Sequence, residues 1–251
     1  MANRLTWYLE RYKLINPIQS GFRKNHSTID HPLRLKVEVE NALSSGNITV
    51  AIFLDFSRAF DLVWNDGLLL KLMRLNVHGN FLHYIRNFLE NRKAEVMLRG
   101  DKSIPFYPQN GTPQGCVISP LLFLVFINDF PTLSSFTSSA LFADDSGIWR
   151  TGTNIKIITH HLQQDLLQIQ SWCTEWGFKI NTSKSHGIIF TNKKNINTKL
   201  SILGEEITFL PSIRFLGFIF DTKLTWAPHI DSIVSKCKRI INLLKCISNI
   251  K

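Results

Sequence analysis

Cysteine is scarce, with four in 251 residues. Cys116, Cys173, Cys237 and Cys246 form no CxxC pair, and the last two fall on opposite faces of an expected helix at about 100° per residue. Neither a zinc site built on paired cysteines nor a disulfide framework is indicated. Long apolar runs are missing too. The longest, Leu121 to Ile127, is far short of the roughly 20 residues of a membrane span. The start MANRLTWYLERYKLINP lacks an apolar core of signal-peptide length. The expectation is an intracellular protein of nucleus or cytoplasm, with no membrane partner and no secretion signal. There is no internal repeat and no low-complexity linker. Acidic residues are short as well, 19 against 29 Lys plus Arg, for a formal charge of +10.

What is present is globular: 44% hydrophobic and 11% aromatic residues, in a chain long enough to build a core without staples. The basic excess is uneven. From Trp176 to Lys251 twelve Lys/Arg face four Asp/Glu, whereas residues 1–175 hold seventeen and fifteen. The C-terminal third is thus the expected polyanion-binding face, although a solvated surface accounts for the same charges.

The pattern predicts a helix from Leu5 to Leu14 and another capped by Asp30, running past Leu33 and Val37 toward Leu43 and stopped at Ser44-Ser45-Gly46. Ile48 to Leu54 is a β-branched apolar run, hence a buried strand, and it delivers Asp55 at its end. Helices follow over Asp66 to Leu75 and Asn80 to Asn91, then a strand pair, Ala94 to Leu98 with Ile104 to Tyr107. The loop Gln109 to Gly115 leads to a helix with Ser119 as N-cap and Pro120 at its first position. Ser135 to Phe142 and Gly147 to Arg150 form a hairpin turning at Ala143-Asp144-Asp145-Ser146. Ile155, Ile158, Leu162, Leu166, Ile169 and Trp172 mark one face of a long helix. Strands are expected near Phe178 to Ile180, Gly187 to Thr191, Ile207 to Leu210 and Ile213 to Phe220. A final amphipathic helix carries Ile230, Ile233, Val234, Cys237, Ile240, Ile241, Leu244 and Ile247 on one side, after a boundary near Thr225.

Three aspartates stand where packing would not put them: Asp55 after a buried strand, and Asp144 and Asp145 at a hairpin tip. Gathered carboxylates repel unless a cation holds them. Hard oxygen ligands suit Mg²⁺, and a two-metal site carries in-line phosphoryl transfer. An Asp-Asp pair in a hairpin also suits ordinary turn chemistry.

The ordered set narrows the choice. Phe53-Leu54-Asp55-Phe56-Ser57-Arg58-Ala59-Phe60-Asp61 precedes Gly111-Thr112-Pro113-Gln114-Gly115-Cys116-Val117-Ile118-Ser119-Pro120, and Phe142-Ala143-Asp144-Asp145 comes after. With Gln19-Ser20-Gly21-Phe22-Arg23 upstream and Phe215-Leu216-Gly217 downstream, the chain closely resembles the reverse transcriptases of non-LTR, LINE-like (jockey-type) retrotransposons over nearly its whole length.

The resemblance implies that Asp55, Asp144 and Asp145 are the catalytic metal ligands for two Mg²⁺ ions, with Mn²⁺ as substitute. It implies that Phe60 is an aromatic gate against the 2′-hydroxyl, with a plain core ring as the alternative, and that Arg58 and Ala59 offer backbone amides to the triphosphate. Gln114 and Gly115 would shape the nucleotide pocket. Lys184, after Trp176-Gly177-Phe178, would protonate the leaving pyrophosphate, or else be a solvated charge. Phe215, Leu216 and Gly217 would be the primer grip, Asp61 a structural neighbour, and Arg23 a contact to template or nucleotide phosphate, or another exposed arginine.

The implied fold is α+β, a polymerase right-hand palm with an antiparallel sheet backed by helices. Residues 1–47 would be partial fingers, 48–225 palm with a finger insertion at roughly 65–110, and 226–251 the start of a truncated thumb helix. The implied function is RNA-directed DNA polymerase, a nucleotidyltransferase using an RNA template, a DNA primer and dNTPs. The alternative is an inactive, truncated nucleic-acid-binding remnant. The family's further fingers, longer thumb and endonuclease find no counterpart in this sequence.

Overall fold

The computed structural model describes residues 1–248, with side chains through Lys245. Positions 249–251 of the expected thumb segment, and the side chains of Cys246 and Ile247, lie outside the described residues.

Helices α1 (Ala2–Arg11) and α2 (Asp30–Ser44) precede strand β1 (Ile48–Leu54). Then come α3 (Asn65–Arg74), α4 (Gly79–Leu89), the short strands β2 (Met97–Leu98) and β3 (Asp101–Lys102), and α5 (Ser119–Ile127). Next are β4 (Thr137–Phe142), β5 (Asp145–Gly152), α6 (Ile155–Trp176) and a 3₁₀ turn at Thr182–Lys184. The chain continues through β6 (His186–Phe190), β7 (Ser201–Ile202), β8 (Glu205–Glu206), β9 (Thr208–Phe209), β10 (Ser212–Phe215) and β11 (Phe218–Asp221) to α7 (Ala227–Ser248).

All seven residues of β1 are buried, as an unbroken apolar run requires when both faces of a strand are covered. It is the middle strand of a five-stranded sheet, ordered β4-β5-β1-β6-β9. The pairs are antiparallel except β6 with β9, so the α+β expectation holds. Strand alternation splits β1 between two cores. Ile48, Val50, Ile52 and Leu54 enter the larger one with α1 and α3 to α6, while Ala51 and Phe53 join Leu35 and Val39 of α2 and the rings of β10 and β11.

Helix α5, Ser-Pro-Leu-Leu-Phe-Leu-Val-Phe-Ile, has no polar side and is buried all round. Helix α6 buries only one face, is capped by the Asn154 side chain on the Lys156 amide, and stops at Gly177 with φ 77°.

Several local expectations shift. Ile29, not Asp30, is the N-cap of α2, and the Asp30 carboxylate accepts instead from the amide and hydroxyl of Ser27. Ile118, not Ser119, caps α5, and the Ser119 hydroxyl is buried without a hydrogen-bond partner. The expected strand 213–220 breaks into the hairpin β10–β11. Its two turn residues Leu216 and Gly217 take φ 46° and 89°, which extended backbone cannot accommodate. The strand pair after α4 shortens to β2–β3 with an outer Ala94–Phe106 bridge.

Among the described residues the apolar row of α7 stays exposed, as at Ile230, Ile240 and Leu244. The start of α7 docks where the His229 ring meets Phe218 at 5.3 Å. Among the described residues no helix is long and apolar enough to cross a membrane.

Candidate active site

β1 ends with Leu54 opposite Ser146 of β5, so Asp55 leaves the sheet at the end where Asp145 opens β5. Phe142 pairs with Asp145, which leaves only Ala143 and Asp144 as the turn. The four-residue turn expected from sequence is thus two residues tighter. Ala143 sits at φ 55°, a left-handed conformation that disfavours a residue with a Cβ by about 1–2 kcal/mol.

The electrostatics at this end are repulsive. Burial, then the charge of Asp55, pushes the Asp144 carboxyl above the ordinary carboxylate range. Burial, then Asp144 and Asp55, does the same to Asp145, which keeps solvent access at its rim. Among the described residues none of the three forms an ion pair. Nor do they close into a cage of three His, Cys, Asp or Glu ligands. Uncompensated hard oxygen donors in an open arrangement fit Mg²⁺, which takes few protein carboxylates and completes its shell with water and phosphate oxygens.

Asp55 is held by its backbone. Its carbonyl accepts from the Asn181 amide at 2.8 Å, and its amide donates to Ser185 Oγ at 3.2 Å. Ser185 Oγ donates in turn to the Asn181 carbonyl at 2.8 Å. Lys184 lies in this same 3₁₀ turn with its side chain exposed. Sequence reasoning picked out Lys184 and missed Asn181 and Ser185. Their turn-forming residue types were the only available signal.

The segment after Asp55 turns sharply at Arg58, exposed at φ 48°, and buries Ala59. Phe60 is half-buried, stacked on Phe123 at 4.3 Å and met edge-on by Phe22 at 6.2 Å. The glycine-rich loop is strapped to this segment by Thr112 N–H to the Phe60 carbonyl at 2.9 Å and Gly111 N–H to that of Val63 at 2.7 Å. A Cβ on Gly111 would lie 2.6 Å from the Asp61 carbonyl oxygen, so this approach requires glycine. Gln114 Nε2 donates to Asp61 Oδ1 at 3.2 Å, which gives Asp61 a structural task. Gly115 takes φ 86°. A cavity of about 680 Å³ opens beside the loop, lined by Asp61, Arg92, Phe106, Gly111, Pro113 and Gln114 among others.

Residues 1–220 match the family described as reverse transcriptase (RNA-dependent DNA polymerase). The chain belongs to the reverse transcriptase family. It is 33% identical over 240 residues to the RNA-directed DNA polymerase from mobile element jockey of Drosophila melanogaster, covering 93% of this chain and 26% of that protein. To the probable RNA-directed DNA polymerase from transposon BS of the same fly it is 29% identical over 260 residues, covering 100% of this chain and 29% of the relative. These relatives place it among the non-LTR retrotransposon reverse transcriptases, and the chain spans less than a third of their length. An apo telomerase from Candida tropicalis, truncated from its C-terminal domain, superposes with a TM-score of 0.60 at 13% identity over 89% of this chain and 43% of that one. That likeness is one of fold, the palm-type polymerase.

Two expected reverse transcriptase positions have other surroundings than the sequence suggested. Arg23 turns inward. Its Nε and Nη2 donate to the two Glu10 carboxylate oxygens at 2.9 and 2.8 Å, its Nη1 donates to the Gln19 carbonyl at 3.0 Å, and 13% of the side chain is exposed. Phe215 is buried against Phe53 at 4.5 Å between centroids. It therefore anchors the β10–β11 hairpin, and the Leu216-Gly217 turn is the part that projects.

Proposed function

We propose that this chain catalyses RNA-directed DNA synthesis, adding deoxynucleotides to a DNA primer on an RNA template. The observation that carries the reading is the end of the sheet where Asp55 sits beside the Asp144-Asp145 pair, where burial and the neighbouring carboxylates raise the proton affinity of Asp144 and Asp145, and where none of the three forms an ion pair among the described residues. That arrangement disfavours the folded chain unless a cation binds it. Asp55, Asp144 and Asp145 would hold two Mg²⁺ ions, or Mn²⁺ in their place, which when bound neutralise phosphate charge and activate the primer hydroxyl.

The chain's own groups do the rest. The backbone turn at Arg58 and Ala59 receives the triphosphate, and the Gln114-Gly115 loop, braced on Asp61, lines the base pocket. Phe60, wedged between Phe123 and Phe22, is rigid enough to exclude a 2′-hydroxyl from the sugar site. Lys184 donates a proton to the departing pyrophosphate. The turn of the β10–β11 hairpin seats the primer end. Residues 1–47 then serve as partial fingers, 48–225 as palm with the insertion at roughly 65–110, and 226–251 as the start of the thumb. The work is done inside the cell, in nucleus or cytoplasm, where template RNA and dNTPs are found.

The test is primer extension on an RNA template with dNTPs and Mg²⁺. Extension by the wild type and none by Asp144→Asn is expected; extension that survives Asp144→Asn overturns the assignment.

A further inference from the structure

The Asp144 turn is gripped by a segment 124 residues away in sequence. Gln19 is 1% exposed, and its carboxamide engages both peptide groups of Ala143. Oε1 accepts from the Ala143 amide at 2.9 Å, and Nε2 donates to the Ala143 carbonyl at 3.4 Å. The same Oε1 accepts from the Gly21 amide at 2.7 Å. A side chain here does what a neighbouring strand would do.

The grip extends along β4, the free edge of the sheet. Ser20 N–H donates to the Leu141 carbonyl and Leu141 N–H to that of Ile18, both at 2.9 Å. His31 Nε2 meets the Leu141 carbonyl at 2.9 Å. The fit leaves no slack, since a Cβ on Gly21 would stand 2.3 Å from the Ala143 nitrogen. Gln19 is itself fixed from behind by Arg23 on its carbonyl, and Arg23 by Glu10.

We infer that Gln19 is a positioning residue, which holds Ala143 in its left-handed conformation and so aims Asp144 at the metal site. The inference rests on the proposed metal-binding role of Asp144. A buried carboxamide saturating both polar groups of a strained residue supplies what the local sequence lacks, because alanine does not choose this conformation unaided. Arg23 and Glu10 act through Gln19 and touch no reacting atom. This gives Arg23 a task other than phosphate contact.

The experiment compares wild type, Gln19→Met, Arg23→Lys, Asp144→Asn and the core variant Val77→Ala. Mn²⁺ binding is followed by electron paramagnetic resonance without nucleic acid, and amide hydrogen exchange is followed at Ala143. Gln19→Met keeps the length and loses the amide. It should weaken Mn²⁺ binding by about tenfold, the scale at which lost outer-shell support reduces metal affinity, and speed exchange at Ala143. Arg23→Lys should fold, keep Gln19 and show a smaller effect of the same kind, so it decides the matter if Gln19→Met does not fold. Val77→Ala should lower thermal stability without moving Mn²⁺ affinity.

Wild-type affinity in a folded Gln19→Met, an unmoved Arg23→Lys where Gln19→Met fails to fold, or a loss matched by Val77→Ala, overturns the inference. If wild type and Asp144→Asn bind Mn²⁺ alike, the metal reading fails and the metal half of this inference with it. Exchange at Ala143 then shows separately whether Gln19 holds the turn.

Discussion

Lys71 is a cation sealed inside the protein. It is 4% exposed, and its ammonium donates to the Phe126 carbonyl and to Asp129 Oδ1, each at 2.5 Å. It lies 3.6 Å from the centroid of Trp176 and 4.7 Å from that of Phe126. Burial holds it at about 8 rather than the ordinary 10.5, against the opposing pull of Asp129. Between those two pH values the unfolded chain keeps a proton that the folded chain has released, so folding becomes more favourable as pH rises through the window. The full difference between about 8 and 10.5 is worth about 3 kcal/mol.

Lys71→Met removes the titration and keeps much of the volume. Near pH 7 the change should be small, because the variant no longer desolvates an ammonium and the partner left behind, Asp129, is not a buried charge. Asp129 retains a donor in Trp172 Nε1 at 3.1 Å and is 41% exposed, so it is not stranded. The Phe126 carbonyl loses its partner, at about 1 kcal/mol. Urea unfolding followed by circular dichroism at pH 7, 8, 9 and 10 should then show wild type gaining up to about 3 kcal/mol on the variant toward the alkaline end. The buried Cys173 thiol, pushed up to about 12, is common to both proteins and cancels. Stability curves that stay parallel from pH 7 to 10 would refute the reasoning.

Two more outcomes follow from the site. Asp144 titrates above the ordinary carboxylate range, so its contribution is favourable while protonated and is lost as pH rises through the folded value. Asp144→Asn should therefore raise the melting temperature at neutral pH in chelator while abolishing extension, and a lower melting temperature would contradict the repulsion. Phe60→Val empties the space between Phe22 and Phe123, so single-nucleotide extension assays should show increased ribonucleotide incorporation relative to deoxynucleotide; an unchanged ratio removes Phe60 from that role.

Elements whose signal is local were legible in the sequence. β1 announced itself by seven consecutive apolar residues, α6 by one periodic face, and the Asp144 hairpin by its apolar flanks. The carboxylates were legible because nothing in packing explains them. What sequence hid was contact between distant segments. The Gln19 carboxamide looks like any polar side chain until the fold brings it to Ala143. Ser185 and Asn181 look like turn residues until their backbone partner proves to be Asp55. Arg23 and Lys71 were charges whose partners, Glu10 and Asp129, lie on other elements. Helix caps moved by one residue at α2 and α5, where Ile29 and Ile118 rather than Asp30 and Ser119 hold the cap positions.

The way the aspartates are held also sets an order in time. Asp55 depends on Ser185, 130 residues later, and the turn that carries Asp144 depends through Ala143 on Gln19, 124 residues before Ala143. A chain emerging from its N-terminus can therefore complete the Asp144 clamp as soon as β4 and β5 pair. It cannot fix Asp55 until the 3₁₀ turn beyond α6 has been made. Bringing such distant segments together is slow relative to local helix formation. The candidate site is thus completed only after the chain has passed α6, and a nascent chain lacks the support of Asp55 until Ser185 has emerged.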